Sequence, residues 1–397
     1  MSTFFVSCQP GLEKDLVFEI ESFWHMLIDL DGLPTRSRPE FVDQDITGGI
    51  ELRCDIHLGY QINLFSKLGN RVLLRLTHFS ARFFDQFEKE IKKIKLKDYF
   101  GDQPFAIQVD ASKSRLFHEK NLLESAYKAF GLKDNKATSV SQSDDGDEFQ
   151  LYIRIFKDEA TLSIDTTGRH LHKRGYRVEQ GAAPIRETLA AKVYFKLLEL
   201  AYSGQLTLFE RAESTALYDP FCGSGTLLFE SACFKLPSLN QSFSFEKFLN
   251  RPALMKSNTW KKNYKISYLS QLRFYGSELD PQTFQKLNKN KNEFLNKYPQ
   301  IMSDYFTFLN CDSSLIKSAQ FKEGKIILMT NPPYGERLDS NTAIDVLNSV
   351  VKEIQPYCIA VIHPLNWNLK YENYRAFATY DFDNQGLKLK LSFFKKS

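Results

Sequence analysis

The stretch that decides the fold is DPFCGSGT, residues 219–226, which follows the short apolar run STALYD (Ser214–Asp219) and precedes a helical pattern reaching about Phe234. A strand that leads through a glycine turn directly into a helix brings backbone amides close to a ligand, because glycine permits the sharp turn. The sequence therefore predicts a cofactor loop here, with a plain strand-to-helix turn as the alternative.

This loop does not suit a phosphate ligand. A P-loop would end in G-K-[ST], but Gly225 is followed directly by Thr226, and Asp219 would repel a polyphosphate. The dinucleotide pattern G-x-G-x-x-G also fails, because Leu228 stands where its last glycine belongs. A ligand without phosphates is the better interpretation.

Further short apolar runs alternate with helical segments from about Ala182 onward. They are LRFYGSE (Leu272–Glu278), KIILMTN (Lys325–Asn331) and YCIAVIH (Tyr357–His363), and they indicate parallel strands covered on both faces. We therefore expect a doubly wound α/β domain, in which ligands bind beyond the carboxyl ends of the strands.

Acidic residues stand at the ends of two predicted strands, LRFYGSE and the further run YFTFL. Glu278 in GSELDP can accept hydrogen bonds from both hydroxyls of a ribose, with Asp280 as the second choice. Asp312 in NCDSS, after the run YFTFL, can accept from an adenine amino group. For each of these acids the alternative is an ordinary solvated or turn carboxylate.

The string NPPY, Asn331–Tyr334, follows another apolar strand. Pro332 and Pro333 remove two amide donors, so this loop presents carbonyl acceptors. The Asn331 oxygen and the Pro332 carbonyl can accept hydrogens from an exocyclic amine while Tyr334 stacks on the ring of a flat base. A structural proline loop is the alternative.

The N-terminal part of the chain predicts smaller α+β units. Its strand-like segments include TFFVSC (Thr3–Cys8) and NRVLLRLTHF (Asn70–Phe79), and Gln150–Thr166 indicates a hairpin that turns at Lys157–Glu159. The basic stretch GRHLHKRGYR (Gly168–Arg177) is a linker candidate.

Composition limits the class of protein. In 397 residues, 43% are hydrophobic and 25% charged, which is a globular mixture that excludes disordered and collagen-like classes. No apolar run approaches the roughly 18 residues of a membrane span, and the six cysteines form no C-x-x-C pair, so we expect an unexported, cytoplasmic protein without a metal site. Residues 241–300 carry eleven basic and four acidic residues, an asymmetry typical of either a nucleic-acid surface or a solvated face.

The combination of DPFCGSGT, GSELDP, NCDSS and NPPYGERL resembles the S-adenosyl-L-methionine-dependent class I methyltransferases that act on exocyclic amines of bases. APIRET (Ala183–Thr188), the basic stretch before it, ASKSRLFHEK (Ala111–Lys120) and LYIRIFKDEATLSIDTTG (Leu151–Gly168) resemble the RNA guanine-N2 methyltransferases with an N-terminal THUMP domain. The resemblance covers nearly the whole chain.

It implies a Rossmann-like class I methyltransferase domain preceded by an α+β ferredoxin-like and THUMP RNA-binding region. The expected segments are residues 1–69 (ferredoxin-like), 70–167 (THUMP), 168–182 (linker) and 183–397 (methyltransferase). Bacterial members of this group modify guanine in ribosomal RNA, with the 23S RNA as our preferred substrate, and archaeal relatives modify tRNA.

The resemblance also implies residue roles. The residues that would hold the cofactor are Pro184, Arg186, Glu187, Thr188, Asp219, Pro220, Cys222, Gly223, Ser224, Gly225, Thr226, Glu278, Asp280 and Asp312. Those facing the target base would be Asn331, Pro332, Pro333 and Tyr334, and those contacting RNA phosphates would be Lys113, Arg115, His118, Lys173, Arg174 and Arg177. A lysine-rich insertion at about 236–271 is a further candidate RNA contact.

Three alternative functions stay open at this point. NPPY suits the N6 amine of adenine as well as the N2 amine of guanine, and tRNA is an alternative substrate to ribosomal RNA. A protein of a different class, an RNA-binding assembly factor without catalysis, would share the same N-terminal region. The oligomeric state is not encoded in these motifs.

Overall fold

The computed structural model describes the chain except for residues 43–45, 133–148, 180–184, 208–213, 258, 265–270, 335–339 and 385. Its strands are β1 (Ser2–Cys8), β2 (Glu40–Val42), β3 (Gly49–Cys54), β4 (Gly69–Ser80), β5 (Phe105–Ser112), β6 (Phe149–Phe156), β7 (Glu159–Asp165), β8 (Thr215–Asp219), β9 (Leu272–Glu278), β10 (Phe306–Asn310), β11 (Lys325–Thr330), β12 (Cys358–Pro364), β13 (Tyr374–Asn384) and β14 (Leu387–Lys396). Its helices are α1 (Glu13–Trp24), α2 (Ile56–Phe65), α3 (Phe84–Ile91), α4 (Lys97–Phe100), α5 (Glu119–Phe130), α6 (Glu187–Tyr202), α7 (Thr226–Cys233), α8 (Ala253–Lys256), α9 (Pro281–Lys297) and α10 (Ser340–Ile354). Among the described residues, no helix is both long and apolar enough for a membrane span.

The chain divides into two compact units. The first comprises residues 1–173 and 241–265, and the second residues 174–240 and 266–397. In the first unit, the described strands form one sheet in the order β2-β3-β1-β4-β7-β6-β5. Strand β4 pairs with β1 on one side and β7 on the other, so both predicted N-terminal segments contribute to this sheet. The four segment boundaries themselves stay predictions.

Most elements of the first unit agree with the hydrophobic patterns. The predicted hairpin is present, with its turn at Lys157 and Asp158, both of which have positive φ. Helix α2 was not predicted, and nine of its ten residues are buried. A helix covered on all sides has no polar face, so it lacks the 3.6-residue alternation by which a surface helix is detected.

The described residues of the insertion between 241 and 264 belong to the first unit. The Phe245 ring stacks on Tyr60 with centroids 4.9 Å apart, and the Phe245 amide donates to the Thr166 carbonyl at 3.0 Å. One of its lysines, Lys261, is paired with Glu246 at 3.0 Å. Aromatic burial, which the lysine count does not reveal, determines the position of this segment. The interpretation of the insertion as an RNA contact stays a prediction.

The second unit contains the predicted doubly wound sheet, with the described strands in the order β10-β9-β8-β11-β12-β14-β13. The strands from β8 to β12 are parallel, as predicted. Strands β13 and β14 are antiparallel, because only two residues separate them and a parallel pair requires a long crossover. The order reverses at β8, whose neighbours are β9 and β11, so the switch point lies at the carboxyl end of β8.

Candidate active site

A cavity of about 700 Å³ lies in the second unit, outside the carboxyl ends of β8, β9 and β11. This is the position at which open α/β sheets bind ligands, and the volume suits a nucleoside-sized molecule. The predicted residues that line it are Asp219, Pro220, Cys222, Gly223, Ser224, Thr226, Glu278, Asp280, Asp312, Asn331, Pro332 and Pro333. Four motifs that are far apart in the sequence thus meet at one site.

Residues 219–226, between β8 and α7, form the glycine loop. Packing requires a glycine at position 225 but not at position 223. Gly225 has φ +86°, and a Cβ there would lie 2.5 Å from Phe229 and 2.6 Å from Leu287. Gly223 has φ +53° and would meet no heavy atom within 4 Å. Gly225 therefore lets α7 begin tightly against the core, while Gly223 keeps open space beside the cavity.

Asp219 ends β8 and is buried. Its Oδ1 accepts hydrogen bonds from the Phe221 amide at 3.0 Å and from the Thr330 hydroxyl at 2.6 Å. Burial raises the pKa of Asp219 to about 7, and the charge of Glu278 adds to this rise. Thr330 was not among the predicted site residues, although its place directly before NPPY at the end of β11 is a signal that could have found it.

Glu278 connects the second strand end to the glycine loop. Its Oε2 accepts from the Gly223 amide at 3.0 Å and its Oε1 from the Asp280 amide at 2.9 Å. Burial raises the pKa of this carboxyl. Asp280 instead caps α9, since its Oδ2 accepts from the Thr283 amide and hydroxyl at 2.8 and 2.7 Å, and these bonds lower its pKa.

Asp312 follows β10, and its Oδ1 accepts from the Ser314 amide at 2.9 Å and hydroxyl at 2.8 Å. Neither bond uses Oδ2. The neighbouring Ser313 hydroxyl donates to the Pro220 carbonyl and lies 2.8 Å from the Ser277 hydroxyl. This buried contact fixes the turn after β10 against the glycine loop, so the two walls of the cavity are held together.

The NPPY motif forms the wall after β11. The Asn331 Oδ1 atom is buried and has no hydrogen-bond partner among the described residues. Pro332 and Pro333 line the cavity beside it. Tyr334 is not part of the lining, because it packs, half-buried, against the apolar cluster that includes Leu347 of α10. The structure therefore does not bring the predicted stacking residue into the cavity wall.

The segment before α6 differs from its prediction in two residues. Arg174 is buried and its Nε lies 2.9 and 2.7 Å from the two Glu230 oxygens. Arg177 pairs with Glu187 at 3.2 Å, with the two side chains 10% and 8% exposed, and donates to Thr226 at 3.1 Å. The assignment of both arginines to RNA phosphates is wrong here, because each is enclosed with a partner carboxylate that the local basic pattern does not reveal.

The remaining predictions of this segment have mixed outcomes. Ile185, which was not among the predicted site residues, lines the cavity, whereas the predicted Glu187 and Thr188 are buried at the start of α6 and Arg186 is exposed. Pro184 lies outside the described residues. In the first unit, Lys113, Arg115 and His118 are exposed and Lys173 is half-buried. The cofactor and RNA roles of all these residues stay proposals.

Sequence reasoning also missed Asn290 in the middle of α9. This fully buried side chain accepts from the Val178 and Glu179 amides at 3.1 and 3.0 Å, and donates to the Glu179 and Ser224 carbonyls at 3.0 and 3.3 Å. It thus links the segment before α6 to the glycine loop. An asparagine within a lysine-rich helix carries no local signal of such contacts.

We expect Asn290→Asp to weaken cofactor binding by about tenfold, because an aspartate loses both donated bonds and would face two carbonyl oxygens, and one lost bond to a buried group costs roughly 1–3 kcal/mol. The measurement is calorimetric titration with S-adenosyl-L-homocysteine. Asn288→Asp is the matched control, since Asn288 lies exposed on the same helix. Equal affinities of the two variants would contradict a role for Asn290 in the loop.

The sheet order and the cavity at its switch point define the class I methyltransferase fold. Along the whole chain this fold resembles the crystal structure of a possible methylase from Clostridium difficile 630, with 25% identity, a TM-score of 0.72 and coverage of 100% of this chain and 98% of the other. Residues 174–356 match the family UPF0020, described as RMKL-like, methyltransferase domain. The predicted class I methyltransferase fold is confirmed.

Two curated relatives carry the name "Ribosomal RNA large subunit methyltransferase K/L". The protein of Pseudomonas putida F1 is 27% identical over 414 residues, covering 98% of this chain and 52% of the relative. That of Psychromonas ingrahamii is 28% identical over 310 residues, covering 75% and 38%. The chain thus spans about half, or less, of the length of these relatives.

A second solved structure shares the fold. SMU.472, solved in complex with SAH, is 22% identical to this chain, with a TM-score of 0.74 and coverage of 100% of this chain and 98% of the other. The family match to a methyltransferase domain agrees with the predicted dependence on S-adenosyl-L-methionine.

Proposed function

We propose that this protein transfers a methyl group from S-adenosyl-L-methionine to the exocyclic N2 amine of a guanine in large-subunit ribosomal RNA. The observation that carries the proposal is Asn331 Oδ1, a buried acceptor without a partner in the described part of the chain, in the loop that lines the same cavity as Gly223 and Glu278. A buried acceptor left unpaired costs roughly 1–3 kcal/mol, which an amine donor would offset.

The residues present fit the cofactor. Gly223 leaves open space beside the cavity, and each Glu278 oxygen that accepts one backbone amide retains a lone pair for a ribose hydroxyl. Asp312 Oδ2 accepts no hydrogen bond from the described residues and would be the acceptor for an adenine amino group, while Asp219 with the glycine loop would hold the methionine end. When bound, the cofactor supplies a methyl group that is already activated by its positively charged sulfur.

The protein must then position a weak nucleophile, because the lone pair of a base amine is delocalised into the ring. Asn331 Oδ1 and the Pro332 carbonyl would accept the two amine hydrogens, which orients the nitrogen and stabilises the positive charge that grows on it. Pro332 and Pro333 have no N–H, so no backbone donor competes at this point. No strong general base is required. We assign no stacking role to Tyr334, given its position against the apolar cluster.

The choice of RNA rests on two supports. The curated relatives are named for ribosomal RNA of the large subunit, although this chain spans about half of their length or less. In addition, the first unit exposes Lys113, Arg115 and His118 on one loop, where they can contact phosphates. Guanine N2 is preferred over adenine N6 on the resemblance of the N-terminal region to the THUMP group.

The test is transfer of labelled methyl from S-adenosyl-L-methionine to unmodified ribosomal RNA and, separately, to tRNA, followed by nucleoside analysis. We expect label in N2-methylguanosine from the ribosomal pool alone. Label in N6-methyladenosine would replace the base assignment, and label in the tRNA pool would replace the RNA assignment. Absence of both label and cofactor binding would contradict methyl transfer and favour a non-catalytic assembly factor.

A further inference from the structure

One end of the first unit combines an exposed aromatic ring with several cations. Phe117, in the loop between β5 and α5, is 56% exposed, and its ring centroid lies 3.9 Å from that of His118. A phenylalanine that is mostly open to water contributes little to the stability of the fold. Its neighbours in the loop are the exposed Lys113 and Arg115.

The adjacent hairpin turn adds to this cationic cluster. The Lys113 and Lys157 ammonium groups and the Arg154 guanidinium lie 5.7, 5.3 and 5.9 Å from the centroid of the Phe156 ring. All three cations are exposed, and Arg154 has an exposed carboxylate, Asp110, at 3.9 Å. Three like charges around one ring repel each other, so this arrangement favours an anionic ligand.

The loop and the turn are held in place by hydrogen bonds between them. The Arg115 amide donates to Asp158 Oδ1 at 2.8 Å, and the Asp158 amide donates to the Ser114 hydroxyl at 3.0 Å. Lys113 and Asp158 have φ values of +50° and +64°, which are uncommon for residues other than glycine. Because these contacts fix the backbone, the ring and the cations are presented without a large ordering cost on binding.

From these observations we propose that the loop 113–118 and the hairpin turn at 157–158 form a subsite for an unpaired nucleotide of the RNA substrate. The base stacks on the exposed face of Phe117, and the adjoining phosphates meet Lys113, Lys157 and Arg154. An aromatic platform beside cations is the arrangement by which single-stranded nucleic acids are held without sequence preference. This inference rests on the proposed function, because it specifies how the RNA of that reaction is gripped.

The experiment measures binding of a labelled, hairpin-free RNA of about 12 nucleotides by fluorescence anisotropy with the full chain, single-stranded and as a duplex with its complement. Phe117→Leu is expected to weaken single-strand binding by about tenfold, the effect of removing one base–aromatic stack, and to leave duplex binding within about twofold. Phe117→Trp keeps an aromatic ring for stacking, so we expect it to bind the single strand like the wild type. Phe18→Leu, a partly exposed phenylalanine on α1, is the matched control and binds like the wild type.

Salt dependence separates stacking from charge. The negative slope of log affinity against log salt stays unchanged in Phe117→Leu. The double variant Lys113→Gln, Lys157→Gln makes this slope less steep by about 1.4, because roughly 0.7 of an ion is released for each phosphate contact with a single strand. Unchanged single-strand affinity of Phe117→Leu, or equal losses on duplex and single strand, would overturn the subsite. If the subsite proposal failed while the wild type still methylated ribosomal RNA, the proposed function would stand. Absence of methyl transfer in the wild type would instead contradict the proposed function itself.

Discussion

Replacing Asn331 by alanine is expected to lower the methylation rate constant by roughly 100-fold to 1000-fold while the dissociation constant for the cofactor changes less than about threefold. The side-chain oxygen is the buried acceptor assigned to the amine, and removal of one such preorganised group costs roughly 3–4 kcal/mol of barrier. Single-turnover kinetics with excess enzyme gives the rate constant, and calorimetric titration with S-adenosyl-L-homocysteine gives the affinity.

Two further variants sharpen this test. Asn331→Asp keeps an acceptor oxygen but adds a charge near Asp219, so it should recover part of the rate and introduce a new pH dependence, since the pKa of Asp219 is already raised to about 7 by burial. Thr330→Val removes the hydroxyl that donates to Asp219 without touching the assigned acceptor. If Asn331→Ala lost rate and cofactor affinity equally, Asn331 would be structural and the amine assignment would fail.

Replacing Glu230 by glutamine is expected to destabilise the protein by roughly 3–5 kcal/mol, because it leaves the buried guanidinium of Arg174 without its counter-charge. The Arg174 and Glu230 side chains are 1% and 0% exposed, and the Tyr176 hydroxyl also donates to Glu230 at 2.8 Å. Burial lowers the pKa of Arg174, but the coulombic attraction of this carboxylate outweighs it and raises the pKa above its usual value. A guanidinium is always protonated in proteins, so the arginine stays charged when its partner is lost. The free energy of unfolding from urea denaturation measures the effect.

The second unit offers a matched control in an exposed ion pair. Lys317 and Glu353 lie 3.5 Å apart with side chains 64% and 36% exposed, so Glu353→Gln should cost less than about 1 kcal/mol. A Glu230→Gln protein as stable as the Glu353→Gln protein would show that the Arg174 pair is hydrated in solution. Arg174 would then be available to RNA after all, and RNA affinity of an Arg174→Gln variant would fall.

Hydrophobic patterning predicted most of the strands and their connection to the motifs. Strand β9 has the predicted bounds, and the hairpin turns at Lys157 and Asp158 as expected. These elements were accessible because alternation and turn residues are local properties of a few neighbouring positions. Helix α2 was inaccessible for the opposite reason, since burial on all sides removes the alternation.

Side-chain positions were predictable only where a motif also fixes the backbone. Glu278 ends a strand and meets the glycine loop, as its position in GSELDP suggested. Arg177 stands in a basic stretch that resembles an RNA contact, yet it is paired with Glu187. Charge in the sequence does not distinguish an exposed cation from a buried one, because the partner carboxylate is supplied by a distant or differently oriented element.

The sequence by itself determined the class I fold and the four segments that carry the cavity, because strands and glycine turns arise from interactions within a few residues. The tertiary structure alone decided which side chains face the cavity and which are enclosed. It placed Tyr334 against the apolar cluster, buried Arg174 on Glu230, and gave Asn290 its contacts with the glycine loop. The contacts of Arg174 with Glu230 and of Asn290 with Ser224 join residues 56 and 66 positions apart in the chain, and no local pattern specifies such meetings.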